Sequence, residues 1–130
     1  MNHTEAAVLA AAADLVAAFG AHDTERYFDA FAPEATFLFY TTPEVLPSRA
    51  AYRAEWQTWE QYGFRVLACR SSDQRVQLLG DDVAVFTHRV ATRVRDATGG
   101  HDLTERETIV FRRVGEGRWL GVHEHLSPAP

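Results

Sequence analysis

"RETIVFRRVGEGRWLGVHEHLS", residues 106–127, reads as two strands joined by a turn. Apolar and polar residues alternate on both sides of Gly115-Glu116-Gly117, and period-two alternation marks a strand with one buried face. The turn decides which side chains meet inside. A two-residue turn at Glu116-Gly117 pairs Gly115 with Arg118, Ile109 with Glu124 and Glu107 with Leu126. It gathers Leu103, Glu105, Glu107, Ile109 and Phe111 with Leu120, Val122, Glu124 and Leu126. A three-residue Gly-Glu-Gly turn with a bulge, also a common hairpin, turns His123 and His125 inward beside Trp119 instead. The first register keeps the aliphatic side chains together, so it is the expected one, with the two histidines on the opposite face.

Working outward, two further strands precede this hairpin, at about 64–79 and 82–96. Their connections, Gly80-Asp81 and Thr98-Gly99-Gly100, are tight, and tight connections make neighbours antiparallel. In the second of these strands Ala84, Phe86, His88, Val90, Thr92 and Val94 form the more apolar face. The first would be about 50 Å long if straight, so the polar break Ser71-Ser72-Asp73 is the expected bend. A short strand, "ATFLFY", covers 35–40. Elsewhere before residue 64 the apolar period is helical. Asn2 with Glu5, or Thr4 one turn later, caps a helix carrying Val8, Leu9, Ala12, Leu15, Val16 and Phe19. Asp23 caps a shorter one that Pro33 stops. Ser48 caps a third, with Tyr52, Trp56 and Trp59 at i, i+4 and i+7. The expected fold is α+β, one domain over 1–130, with three N-terminal helices packed on a strongly curved antiparallel sheet.

Composition narrows the function. The 130 residues are 46% hydrophobic and 24% charged, with a net charge of −5. An acidic balance argues against nucleic acid and anionic membranes as partners, since both need a basic footprint. One cysteine, Cys69, leaves no disulfide within the chain and reads as a core filler. No basic segment followed by an apolar run opens the chain, and no apolar run approaches 18 residues, so a cytoplasmic protein without a membrane span is expected. No Gly-rich phosphate loop and no serine nucleophile elbow is present, and no cofactor is implied.

The order of elements, with "AFGAHDTERYFDAFAPEATF" at 18–37 and the closing hairpin, resembles the nuclear transport factor 2-like superfamily. Trp119, His123, His125 and Ser127 make the last segment similar to its SnoaL-like polyketide-cyclase group and to the association domain of calcium/calmodulin-dependent kinase. The resemblance implies a conical fold with a pocket between sheet and helices, and a homodimer through the sheet face. It also implies a choice among isomerases, cyclases, dehydratases and non-enzymes. Ketosteroid isomerase is similar in layout, but its catalytic tyrosine falls at Leu15, its general base at Phe39 or Tyr40, and its proton-donating acid near Ile109. The arginines of the kinase association domain fall on Val90, Ile109 and Leu126.

The residues left to carry chemistry are the polar exceptions on apolar inward faces: His88, Glu107 and Glu124. A poorly solvated carboxyl has its pKa raised into a range useful for acid–base work, and a neighbouring histidine exchanges protons with it. The bland alternative is a structural ion pair near the open end of the fold. Tyr52, Trp56 and Trp59, with Phe86, Ile109 and Leu126, are the expected walls for a small hydrophobic ligand. Tyr40 stands at the mouth with one hydrogen bond to donate. His123 and His125 lie about 7 Å apart on one strand face. They lack an evident third ligand, so no metal is expected.

Overall fold

The computed structural model describes residues 2–130. Asn2 caps the first helix as its side chain accepts from the Glu5 N–H at 2.7 Å, satisfying one of the free donors of the first turn. Helix α1 then runs His3–Gly20. Val8, Ala12, Leu15 and Ala18 are buried along it, a stripe at helical spacing that packs against the sheet. By length and composition alone α1, with a mean hydropathy of 1.2, also reaches what a membrane span requires. It is an exception to the expectation that no segment does, and its buried stripe is that of a core helix. Asp23 caps α2, Thr24–Asp29, and Ser48 caps α3, Arg49–Gln61. All three expected caps are present.

The strands are β1, Phe31–Phe39; β2, Arg65–Leu79; β3, Val83–Asp96; β4, Gly99–Gly115; and β5, Arg118–Pro128. They form one sheet in the order β1-β5-β4-β3-β2. Strands β2 to β5 are antiparallel neighbours, as their short turns require, but β1 lies parallel to β5. The sheet is therefore mixed rather than wholly antiparallel. No hairpin links β1 to its neighbour, so nothing in the local sequence dictates their direction. Register shifts between Ser72 and Arg75, with Asp73 at φ 52°, mark the bend in β2. Bulges of this kind increase twist and curl the sheet round the helices.

The β4–β5 pairing follows the expected register where it matters most. Gly115 pairs with Arg118, Ile109 with Glu124, and Glu107 with Leu126. Between these points two bulges, at Val114 and Val122, each insert one residue. Each reverses the alternation of side chains, and the second cancels the first. In the segment between them Trp119 and Gly121 are buried, while Leu120 lies opposite the exposed Arg112. The expectation that Leu120 and Val122 face inward is corrected here. The pair of bulges buries an indole without expelling Glu124.

Between helices and sheet lies a dense aromatic core: Tyr27, Phe28, Phe31, Phe37, Tyr52 and Trp56 contact one another edge to face or tilted. Such rings contribute roughly 1.5–3 kcal/mol each through burial. A Cβ on Gly121 would meet Phe31 Cδ1 at 2.7 Å, so only glycine lets this ring lie flat on β5. Gly121→Val is expected to lower unfolding free energy by roughly 1–3 kcal/mol, measured by urea denaturation. An unchanged midpoint would mean that Phe31 has room to move.

Candidate functional site

The wide end of the cone leaves a cavity of about 380 Å³ between α1, α3 and the concave sheet face. That volume suits a small organic ligand. Tyr52, Trp56 and Trp59 line one side, as their i, i+4, i+7 spacing on α3 predicts. Glu107, Glu124 and Leu126 line the other. Phe86 and Ile109, expected as walls, lie deeper and are fully buried in the core. Neither is among the residues that line the cavity. Tyr40 is also not a wall: it is about half exposed at the rim and acts through Glu105.

Strand register assembles the polar core of the site. β3–β4 pairing sets His88 directly opposite Glu107, and β4–β5 pairing sets Glu107 one step diagonal from Glu124. His88 Nε2 is 2.7 Å from Glu107 Oε1. The other ring nitrogen, Nδ1, is 2.6 Å from Ser71 Oγ, which in turn accepts from Gln74 Nε2 at 2.9 Å. With Nε2 donating to Glu107, Nδ1 of the neutral ring accepts from the Ser71 hydroxyl; in the imidazolium it donates to it. His88 therefore stands behind Glu107 rather than on the cavity surface. It links the carboxyl to Ser71 and Gln74, at the bend of β2.

The two carboxyls differ in charge. Burial pushes the Glu124 carboxyl well above its ordinary value, and the negative charge of Glu107 and then the hydrogen bond between the two push it further. For Glu107, burial works upward as well. The hydrogen bonds from Glu124 and His88 outweigh it and hold this carboxyl below the ordinary value. Glu124 therefore holds its proton to higher pH than Glu107. Glu124 Oε1 is buried without a hydrogen-bond partner.

A third carboxyl joins them. Glu105 is buried, and burial raises it above the ordinary carboxylate value despite the hydrogen bond from Tyr40 at 2.6 Å. Tyr40 itself is pushed up to about 12 by burial and by Glu105. The sequence marks Glu105 as inward-facing, two residues from Glu107 on the same strand face, but does not single it out from a salt-bridged glutamate. Tyr27 is a further addition: its hydroxyl meets that of Tyr52 at 2.8 Å on the cavity wall. The Ser71 contact had no sequence signal, because it depends on the bulge in β2. Cys69 lines the cavity with its thiol pushed up to about 11 by burial, so it is an inert wall rather than a nucleophile.

On the opposite face His123 Nδ1 bonds to Thr36 Oγ1 at 2.8 Å and His125 is exposed. Among the described residues no group of three His, Cys, Asp or Glu side chains is placed to hold a metal ion.

Residues 8–130 match the family model of the SnoaL-like domain. Several solved structures share the fold. A protein described as a putative calcium/calmodulin-dependent protein kinase II association domain, from Xanthomonas campestris, is 25% identical with a TM-score of 0.77, over 95% of this chain and 86% of that one. A ketosteroid isomerase-like protein from Erwinia carotovora atroseptica superposes with a TM-score of 0.83 over the whole of both chains at 16% identity. An NTF2-like protein with a cystatin-like fold from Novosphingobium aromaticivorans gives 0.72 at 14% identity, over 96% and 81%. A search of curated proteins finds no match.

The shared proton has a consequence for stability. Unfolded, Glu124 loses its proton near pH 4.5; folded, it keeps it to higher pH. Over that interval the folded chain binds more protons, so its stability falls as pH rises. Glu105 contributes with the same sign, and Glu107, lowered, with the opposite sign below its ordinary value. Urea denaturation between about pH 5 and about pH 8 should show wild type losing more stability than Glu124→Gln. Parallel curves for the two proteins would show that Glu124 ionises like a surface carboxyl.

Proposed function

The chain belongs to the SnoaL-like domain family of the nuclear transport factor 2-like superfamily, and from its site we propose that it binds a small apolar or aromatic metabolite and moves a proton on it without a cofactor. Isomerisation, cyclisation and dehydration are the reaction classes that fit. The observation that carries this reading is a pair of neighbouring carboxyls, one hydrogen-bonded to His88 and the other buried without a protein donor on Oε1, whose pKa values are pushed in opposite directions. Two titratable groups driven apart by their surroundings provide an acid and a base in one site.

Glu107 is the base. It takes a proton from a ligand carbon held against Tyr52, Trp56 and Trp59. Glu124 is the acid, giving its proton to the oxygen on which negative charge develops. Glu107 is then protonated and Glu124 ionised, and one proton passing across their hydrogen bond restores the starting state. His88 is a positioning residue: it aims Glu107 and stabilises its charge. This differs from the apparatus implied by ketosteroid isomerase, whose positions fall on Leu15, Phe39 or Tyr40, and Ile109.

Second, the likeness to the Xanthomonas protein described as an association domain supports a non-catalytic, dimeric binding or association module. The outer sheet face, with partly exposed Val85, Val110 and Val122 and exposed Leu38, offers an apolar surface for a homodimer under either reading. Sedimentation equilibrium should detect a two-chain particle that Val110→Arg splits. A wild-type chain that sediments as a monomer at micromolar concentration removes the dimer. A small hydrophobic ligand as partner, no nucleic acid, no membrane and a cytoplasmic setting remain part of this proposal, resting on charge and composition.

A metabolite-library thermal-shift screen, followed by incubation of the hits in D₂O, tests the enzyme reading. Deuterium should enter one ligand C–H position with wild type, and Glu107→Gln should slow the exchange by roughly 10²–10⁴-fold. His88→Ala should slow it less and alter its pH profile. Ligands that bind with no exchange and no conversion would leave only the binding module. Absence of any ligand would remove the pocket reading.

A further inference from the structure

The charged residues that line the cavity are all acidic. Glu105 and Glu107 reach it from β4, Glu124 from β5 and Asp96 from the end of β3. Asp96 is already held by Thr98 and His101. Among the described residues no arginine or histidine lines the cavity, and the sequence has no lysine at all. The nearest basic group to the carboxyl pair is His88, and it reaches Glu107 from behind. Several arginines instead pair on the outside: Arg53 with Glu25, Arg93 with Asp102, Arg112 with Glu34 and Arg113 with Asp82.

Two independent features point to what would satisfy this excess of acceptors. Glu124 is 3% exposed and, the proton it shares with Glu107 aside, no donor of the protein reaches its Oε1. A buried acceptor without a donor favours any ligand that brings an N–H to it. Opposite it, Tyr52, Trp56, Trp59 and Phe64 present aromatic rings to the same space. Ring faces are electron-rich and attract cations, most strongly where water is excluded. An anionic ligand would meet three buried carboxyls with no compensating charge. A neutral donor would satisfy Oε1 but gain nothing from the carboxylate beside it.

We propose that the ligand is an organic cation: a protonated amine or similar N–H⁺ group on an apolar or aromatic body, its nitrogen directed at Glu124 Oε1 and its rings against Trp56 and Trp59. This rests on the pocket reading above and adds the sign of the ligand's charge. Binding then carries a proton signature. A cation beside Glu124 favours its ionised form, so the shared proton leaves as the ligand enters, and the ligand's own N–H⁺ then takes the acid role given to Glu124 above. The groups facing Glu124 are Glu105 and Glu107 on β4, His88 on β3 through Glu107, Cys69 on β2, Tyr27 on α2 and Tyr52 on α3. α1 and β1 present Leu15, Val16, Phe19 and Phe39 there, none of them titratable. The thiol and both phenols stay protonated near neutrality. Proton release in that range therefore falls on the glutamates.

Three probes of one shape decide the question: tryptamine, its neutral isostere 3-propylindole and the anion indole-3-propionate, titrated calorimetrically into the full chain. Tryptamine should bind about tenfold or more tighter than 3-propylindole, and indole-3-propionate weakest. Tryptamine affinity should rise from about pH 6 to about pH 8, with protons released to buffer. Glu124→Gln should erase both the preference and the release. Equal or tighter binding of the neutral or anionic probe would overturn the assignment of charge and leave the pocket reading standing. Failure of all three to bind would overturn both. The wild-type ranking is decisive even if the variant does not fold.

Discussion

Two carboxyl groups buried side by side cannot both be charged, because neither has water to spread its charge and each repels the other. In this chain that constraint drives the two carboxyls apart, Glu124 above its ordinary pKa and Glu107 below it, and the surrounding architecture serves it. His88 approaches Glu107 from the neighbouring strand and, after the hydrogen bond from Glu124, helps hold that carboxyl ionised. Ser71 and Gln74 hold His88 in turn. Removing Ser71 or Glu107 would leave a ring nitrogen of the buried His88 unpaired.

The sheet positions these groups. His88 and Glu107 meet because they are cross-strand partners. Glu124 joins them because the bulges at Val114 and Val122 cancel before β5 reaches it. One bulge without the other would place a histidine where the acid now stands. The same pair of bulges buries Trp119 and lets Gly121 receive the Phe31 ring. Packing at the narrow end and chemistry at the wide end therefore depend on the same irregular strand.

The aromatic stripe of α3 shows core and cavity as two sides of one helix. Trp56 is fully buried and holds the core through Tyr27 and Phe28. It also lines the cavity with Trp59. Phe86 and Ile109 lie on the same sheet face as Glu107 and Glu124, yet they are only core. Depth along the cone separates the two roles.

Local pattern was sufficient for the elements and for most of their faces. Period-two alternation identified β2 to β5, side-chain caps located the three helices, and the Glu116-Gly117 turn set Glu124 opposite Ile109. Each is a short-range property, written in residues close together in the chain. The parallel pairing of β1 with β5, the compensating bulges, the Ser71–His88 contact, the entry of Tyr27 into the site and the Tyr40–Glu105 bond were not legible. They join residues far apart in the chain through packing that no single segment encodes. What the sequence determined by itself was which side chains would face inward together along most of the sheet. Which of them meet empty space rather than one another was decided by the tertiary structure alone, because a cavity is what remains after every element has found its neighbours.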